Sequence, residues 1–366
     1  MKESLQGKIV VITGASSGIG RATAAEFAKQ GANVVLAGRD ADALSEAEAE
    51  CKGYGANAMT VTTDVTQENQ VEELAGKAEE AFGKLDIWVN NAGVALFAKF
   101  DETPTDDYRR VMDTDFFGYV YGARAALKRF KNQGYGTIIN IDSVEGIAPK
   151  PYNSAYAAAK HAVRALASSL RMELALDNLS GINVCTVIPA TADTPLYAHA
   201  GNYTGRGVRA PETAVAPAQV AQAITKVALK PQREVLVGNV ARSAMQYLFS
   251  PQAYERKEAF GYDKRHLTAD QVSKDQGNLF RSSGPHAVSG GWRTRQQKAA
   301  RPWLPLAIIG GAIVGLTGIA AIAALATAKT RGAGEPGGTR KPEKPRDRWQ
   351  PRFKNRGFAI MPISTK

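Results

Sequence analysis

The chain has 366 residues and 46 lysines and arginines against 35 acidic residues, a formal net charge of +11, and is long enough for one large core with appendages. The charge is uneven: residues 1–238 hold 24 basic and 27 acidic side chains and residues 239–366 hold 22 and 8, so the basic character belongs to the last third. Two cysteines, Cys51 and Cys185, exclude a disulfide framework and have no metal-ligand spacing, and the apolar run after Lys8 is too short for a secretory signal core, so the folded part is expected to face the cytoplasm.

Residues 9–12 are a short β-branched run, followed by the turn Thr13-Gly14-Ala15-Ser16-Ser17-Gly18-Ile19-Gly20 and a helical stretch over 21–30. Strand, glycine turn and helix in that order predict a dinucleotide site, with Thr13, Gly14, Ser16, Ser17, Gly18, Ile19 and Gly20 around the pyrophosphate. The glycines let the backbone approach the phosphates closely, and the helix N-terminus offers free N–H groups and a favourable dipole. A second strand over 33–37 ends at Gly38-Arg39-Asp40. Gly38 leaves room and Arg39 suits a ribose 2′-phosphate, so the expected cofactor is NADP(H).

A helix over 41–54 and a strand over 58–62 lead to Asp64-Val65, and a helix over 67–83 to a fourth strand over 85–89. The small residues of Asn90-Asn91-Ala92-Gly93 again let a ligand near the backbone. One helix is expected over 105–131, carrying Asp113, Asp115 and Gly118, and then a fifth strand over 137–141. The next helix reaches residue 177, and a sixth strand over 182–188, with Cys185 as a small core residue, ends at Pro189. Strands alternating with helices at this spacing argue a parallel, doubly wound α/β sheet.

Tyr156 and Lys160 stand at i and i+4 of one helix and so share a face. An ammonium beside a phenol favours the phenolate, which should bring the Tyr156 pKa down from its usual value of about 10 toward neutrality. Ser143 sits where the fifth strand gives way to a loop, the end of a parallel sheet where function collects. Alone, such a Tyr/Lys pair is a weak signal; its company strengthens it.

Thr13-x-x-x-Gly18-x-Gly20, Asp64, Asn90-Asn91-Ala92-Gly93, Ser143 and Tyr156-x-x-x-Lys160, in this order over residues 5–238, resemble the short-chain dehydrogenase/reductase family. The resemblance implies a Rossmann-type fold and hydride transfer between NADP(H) and a carbonyl/alcohol pair. It implies that Tyr156 exchanges a proton with the substrate oxygen, that Ser143 steadies that oxygen, and that Lys160 holds the nicotinamide ribose. Asp64 and Val65 would meet the adenine, Asn91, Ala92 and Gly93 the adenosine side, and Pro189 and Thr194 the nicotinamide. Two positions depart from the family pattern: Asp115 replaces an asparagine that supports a water relay to the lysine, and Ala190 replaces a glycine. An ionised carboxylate accepts but cannot donate.

Residues 192–216 correspond to the family's substrate-covering loop and offer no fixed polar cluster; His199 reads as a solvated loop residue. A helix over 218–229 and a strand over 234–237 complete the sheet, and residues 239–302 are expected to cover the domain and then form a linker. Residues 304–326 carry no charge; as a helix they would span about 34 Å at ~1.5 Å per residue, enough for the hydrocarbon core. Trp303 and flanking cations suit a membrane rim, and Gly311 and Gly315 form a small-residue face on which two helices can pair, so a homo-oligomer is expected. The basic tail over 329–366 has a disordered composition, and anionic lipid on the same side of the membrane is its expected partner rather than nucleic acid. The expected protein is a membrane-anchored NADP(H)-dependent oxidoreductase acting on a lipophilic carbonyl or alcohol; the rival is a non-catalytic NADP(H)-binding sensor or scaffold.

Overall fold

The computed structural model describes residues 4–211 and 213–293. Chain order begins β1 (Ile9–Thr13), α1 (Gly18–Lys29), β2 (Asn33–Gly38), α2 (Ala41–Gly53), β3 (Ala58–Thr62), α3 (Glu68–Phe82) and β4 (Ile87–Asn90). The short β5 (Leu96–Phe97) precedes α4 (Thr105–Met112), α5 (Gly118–Gln133), β6 (Gly136–Ile141), α6 (Ser154–Leu176) and β7 (Ile182–Pro189). Then come α7 (Leu196–His199), β8 (Gly201–Asn202), β9 (Arg206–Val208), α8 (Pro217–Leu229) and β10 (Glu234–Val237). The described part closes with α9 (Val240–Phe249), α10 (Pro251–His266) and β11 (Leu267–Gln271).

Successive side chains of a strand point to opposite faces, and β1 shows what this does to the layers. Val10 and Ile12 pack with Phe27 of α1 and with Val220 and Ile224 of α8. Val11 packs on the other face with Leu74 of α3 and Ala126 and Phe130 of α5. Both faces of the sheet are covered, which is why its central strands are mostly apolar and buried. The sheet is seven-stranded in the order β10-β7-β6-β4-β1-β2-β3, and every pairing in it is parallel. The order in which strands are added reverses between β1 and β4, and a crevice opens outside the carboxyl ends of the strands at such a switch point.

Three stretches differ from the sequence expectation. The single helix expected over 105–131 is interrupted by a π-helical turn at Asp113–Phe117, which swings Asp115 fully into the interior; such turns inside α-helices often mark functional positions. Of the cover and linker expected over 239–302, the cover is formed by α9 and α10, where the Tyr254 hydroxyl donates to the Ala148 carbonyl at 3.1 Å, but residues 272–293 are not a linker. β11 then pairs antiparallel with β9, and residues 272–293 run back across the ends of the strands. The membrane helix expected at 304–326 and the tail at 329–366 lie outside the described residues; among the described residues no helix is long and apolar enough to cross a membrane.

Helix α5 lies against β4 at Gly122. A Cβ there would overlap the Asn90 side-chain oxygen and come within 2.5 Å of the Trp88 indole nitrogen. That nitrogen donates to Asn90 Oδ1 at 2.7 Å, and Asn90 Nδ2 donates to Asn140 Oδ1 at 2.9 Å, so the glycine guards a buried polar chain joining β4 to β6. Gly122→Ala should destabilise the fold by about 1–3 kcal/mol through overpacking. A denaturant midpoint equal to that of the parent chain would show that α5 can move away freely.

Candidate active site

Of the catalytic and cofactor-binding residues expected from sequence, all but Thr13 and Gly20 line a single cleft of 210 Å³ at the carboxyl ends of the strands. Thr13 and Gly20 build its floor. The buried Thr13 hydroxyl donates to the Val89 carbonyl (3.3 Å) and accepts from the amides of Asn91 (3.0 Å) and Ala92 (3.1 Å). Asn91 Nδ2 donates to the carbonyls of Thr13 (2.9 Å) and Gly14 (3.1 Å). The Asn91 side chain thus fastens the glycine turn to the end of β4, and the residue also lines the cleft. At Gly20, any Cβ would collide with the Gly14 carbonyl and Asn91 Nδ2, so only glycine lets the turn close on itself.

At the far end of the cleft, Arg39 donates to the carbonyls of Leu279 (2.9 Å) and Asn278 (2.6 Å). Asp64 accepts from Arg110 (2.6 Å) and from the amide and hydroxyl of Thr66 (3.0 and 2.9 Å). Burial pushes its carboxyl pKa up, but Arg110 and Thr66 outweigh this and hold it below the usual carboxylate range. Val65 stands beside it, while Ala92 and Gly93 form the wall at the end of β4.

Between these walls lies the tyrosine–lysine centre. Lys160 is 3% exposed; its ammonium donates to the Tyr119 hydroxyl (3.0 Å) and the Ile141 carbonyl (3.1 Å) and stands 3.6 Å from Asp115. Burial alone would lower its pKa, yet Tyr119, Asp115 and Tyr156 together raise it, so the lysine stays charged. Tyr156 stands beside Ser143, which draws its pKa downward and whose own hydroxyl accepts from the Glu145 amide at 3.1 Å. The ammonium lies 5.4 Å from the centre of the Tyr156 ring. Sequence reasoning expected the Tyr156 pKa to fall; in the structure burial raises it, with Lys160 pulling downward and Asp115 and Glu145 adding to the rise. Tyr156 is therefore a protonated phenol at neutral pH, the state a proton donor needs.

Asp115 Oδ1 accepts from the Val94 amide at 2.8 Å, and its other oxygen has no hydrogen-bond partner. Burial pushes its pKa up to about 6, against the pull of Lys160. Pro189 ends β7, and Thr194, beside Gly18, closes the opposite rim; Ala190 is held by its amide to the Val237 carbonyl at 2.8 Å.

Several cleft residues were missed by sequence reasoning. Tyr119 follows Asp115 by four positions and so shares its helical face, a signal that could have found it. Glu145, 4% exposed, accepts from Asn153 Nδ2 at 3.1 Å and lies 3.9 Å from Lys150; no local pattern announces it. His199 is 9% exposed, its Nε2 has no partner, and burial lowers its pKa, so it is a cleft residue and not a solvated one.

Sheet order, glycine turn and a buried tyrosine–lysine centre define a dinucleotide-dependent oxidoreductase architecture. A family model for short chain dehydrogenases matches residues 8–203, and the chain belongs to that family. It is 34% identical over 322 residues to the uncharacterised oxidoreductase YxnA of Bacillus subtilis (strain 168), covering 85% of this chain and 90% of that protein. It is 37% identical over 197 residues to the NADP-dependent (R)-specific alcohol dehydrogenase of Lentilactobacillus kefiri, covering 54% and 77%. Among solved structures, a short-chain dehydrogenase/reductase from Burkholderia phymatum in complex with NAD is 28% identical with a TM-score of 0.59, covering 75% of this chain and all (100%) of that one.

The raised carboxyls have a consequence for stability. Asp115 and Asp142, the latter pushed up to about 7 by burial, hold protons in the folded state at pH values where the unfolded chain, with ordinary carboxyls near ~4, has released them. Stability from these groups is full below pH ~4 and is lost as pH rises through their folded values. Asp115→Asn should remove the part lost up to pH 6, so its stability relative to the parent should rise between pH 4 and pH 6 and then stay level. A constant difference across that range in urea denaturation would show that Asp115 does not titrate there.

Proposed function

We propose that the protein interconverts a carbonyl and an alcohol by hydride transfer with NADP(H), with Tyr156 as the proton-exchanging group. The observation that carries this is the convergence of Ser143, Tyr156 and Lys160 in one cleft beneath the glycine turn. The glycine turn and Arg39 would hold NADPH there, and it would supply the hydride to the carbonyl carbon. The Tyr156 hydroxyl gives its proton to the carbonyl oxygen, while Ser143 donates a hydrogen bond that fixes that oxygen. The resulting phenolate is stabilised by the Lys160 ammonium, whose charge Tyr119, Ile141 and Asp115 keep in place. In the reverse direction the same groups accept the proton.

NADP(H) is chosen over NAD(H) because Arg39 stands at the end of β2, where a 2′-phosphate lies in such folds. The relatives point both ways, one being named NADP-dependent and one structure holding NAD. The reading extends to a homo-oligomeric protein held on membranes through residues 304–326, with the catalytic part on the cytoplasmic side and a lipophilic substrate. That extension rests on the uncharged apolar run in the sequence, and retention of the whole chain in the soluble fraction after cell lysis would refute it. Turnover is to be tested by NADPH oxidation against aldehydes, ketones and sterol-like carbonyls; tight NADPH binding with no turnover of any would favour a sensor or scaffold.

Tyr156→Phe keeps the ring and removes the proton donor. Turnover should fall by about 10²–10⁴ while NADPH affinity stays unchanged, and full activity in this variant would sink the mechanism. Arg39→Ala should erase the preference for NADPH over NADH, a charge-assisted contact of about 1.5–3 kcal/mol. The ratio of the two affinities is the measure, because loss of Arg39 contacts to residues 278–279 would affect both cofactors alike.

A further inference from the structure

Among the described residues, 272–293 form no helix or strand beyond an isolated bridge at Asp275, yet they are stitched across the mouth of the cleft from end to end. At the near end the backbones of Asp275 and Asn202 bond each other (2.9 and 3.1 Å), and the Asn278 amide donates to the His199 carbonyl at 2.8 Å. Arg39 and Arg110 both donate to the Leu279 carbonyl, each at 2.9 Å. The Leu279 side chain is wholly buried in a cluster with Val94, Leu96 and Val111 that borders Tyr156. In the middle, Arg21 donates to the His286 carbonyl at 3.1 Å, and the His286 ring lies 3.0 Å from Asp40. At the far end the Gly18 amide, within the glycine turn itself, donates to the Ala287 carbonyl at 3.1 Å. Asp193 accepts from the Ser289 hydroxyl (2.7 Å) and the Trp292 amide (2.8 Å), and the Trp292 indole donates to the Thr194 carbonyl at 3.0 Å.

We infer that residues 275–292 are a strap that closes over the bound dinucleotide and supplies part of its adenosine site, so that cofactor enters and leaves only when the strap undocks. A plug would fill the cleft with its own side chains. Here the space remains, and Asn278, Ser282, Ser283 and His286 line it together with the glycine turn. Asn278 Oδ1 is shut off from solvent and has no hydrogen-bond partner, an acceptor that the amino group of an adenine or a ribose hydroxyl would satisfy. The strap carbonyls fix the plane of the Arg39 guanidinium while leaving it further N–H donors for a phosphate. The outer side of the strap (Arg281, Gly284, Pro285, Ala287) is exposed. A segment held by a few local clusters of hydrogen bonds and one buried leucine, with no helix or sheet ladder of its own, opens at far less than the free energy of global unfolding, which allows exchange without disturbing the sheet.

The inference rests on the cleft being a dinucleotide site, and its test is the rate of NADPH release from the full chain, followed by NADPH fluorescence on mixing with excess NADP⁺. Trp292→Ala removes the far anchor at a partly exposed position and should speed release at least about tenfold, the loss of about one good hydrogen bond with its packing. Asn278→Ala keeps the strap's carbonyl contacts and should weaken NADPH and NADH alike by about three- to tenfold. Hydrogen exchange provides a readout independent of either variant: the amides of Asn278, Gly290 and Trp292 should slow when NADPH is added to the parent chain. Release rates unchanged in both variants, tighter binding after Trp292→Ala, or exchange of those amides unaffected by NADPH would overturn the strap. Failure of the parent chain to bind either cofactor would instead overturn the dinucleotide reading and the strap with it.

Discussion

A lysine ammonium buried in the middle of a protein must find partners or give up its charge, and the surroundings of Lys160 follow from that constraint. Its partners come from three separate elements: the Tyr119 hydroxyl from α5, the Ile141 carbonyl from the end of β6, and Asp115 from the π-helical turn. The Tyr119 hydroxyl also donates to Ile141 at 2.8 Å, so the lysine and this tyrosine share one acceptor and fix each other's position. The extra residue of the π-helical turn brings Asp115 inward, and without that turn the helix from α4 to α5 would present a different residue to the lysine.

The same charge governs the state of Tyr156. Burial keeps the phenol protonated, and Lys160 lowers the free energy of the phenolate formed when the proton leaves. The group is thus a neutral acid at rest with a cation already in place for its conjugate base. Asp115 modifies this balance in a way an asparagine would not: when ionised it stabilises the ammonium but opposes the phenolate, and its own raised pKa places the change between the two states near pH 6.

The cleft is fixed at its floor and adjustable at its roof. Thr13 and Asn91 tie the ends of β1 and β4 together through buried hydrogen bonds, so the glycine turn has little freedom. The roof, by contrast, is a half-exposed segment resting on Arg39, Arg110, Asp193 and Thr194. A rigid floor and a removable roof are what a site must have if a long, charged ligand is to be enclosed and still exchanged.

Local periodicity in the sequence determined the alternation of strands and helices, the glycine turn, and the shared helical face of Tyr156 and Lys160, because each depends on residues a few positions apart. Asp115 was recognised as a departure, but its entry into the interior required a π-helical turn that the pattern over 105–131 does not show. The partners of Lys160 and Arg39 were decided only by tertiary structure: Tyr119 is 41 residues from Lys160 and Leu279 is 240 residues from Arg39. For the same reason residues 275–292, polar and without periodicity, read as linker. Their place comes from backbone carbonyls meeting arginines fixed by the sheet, and a carbonyl carries no signature in the sequence.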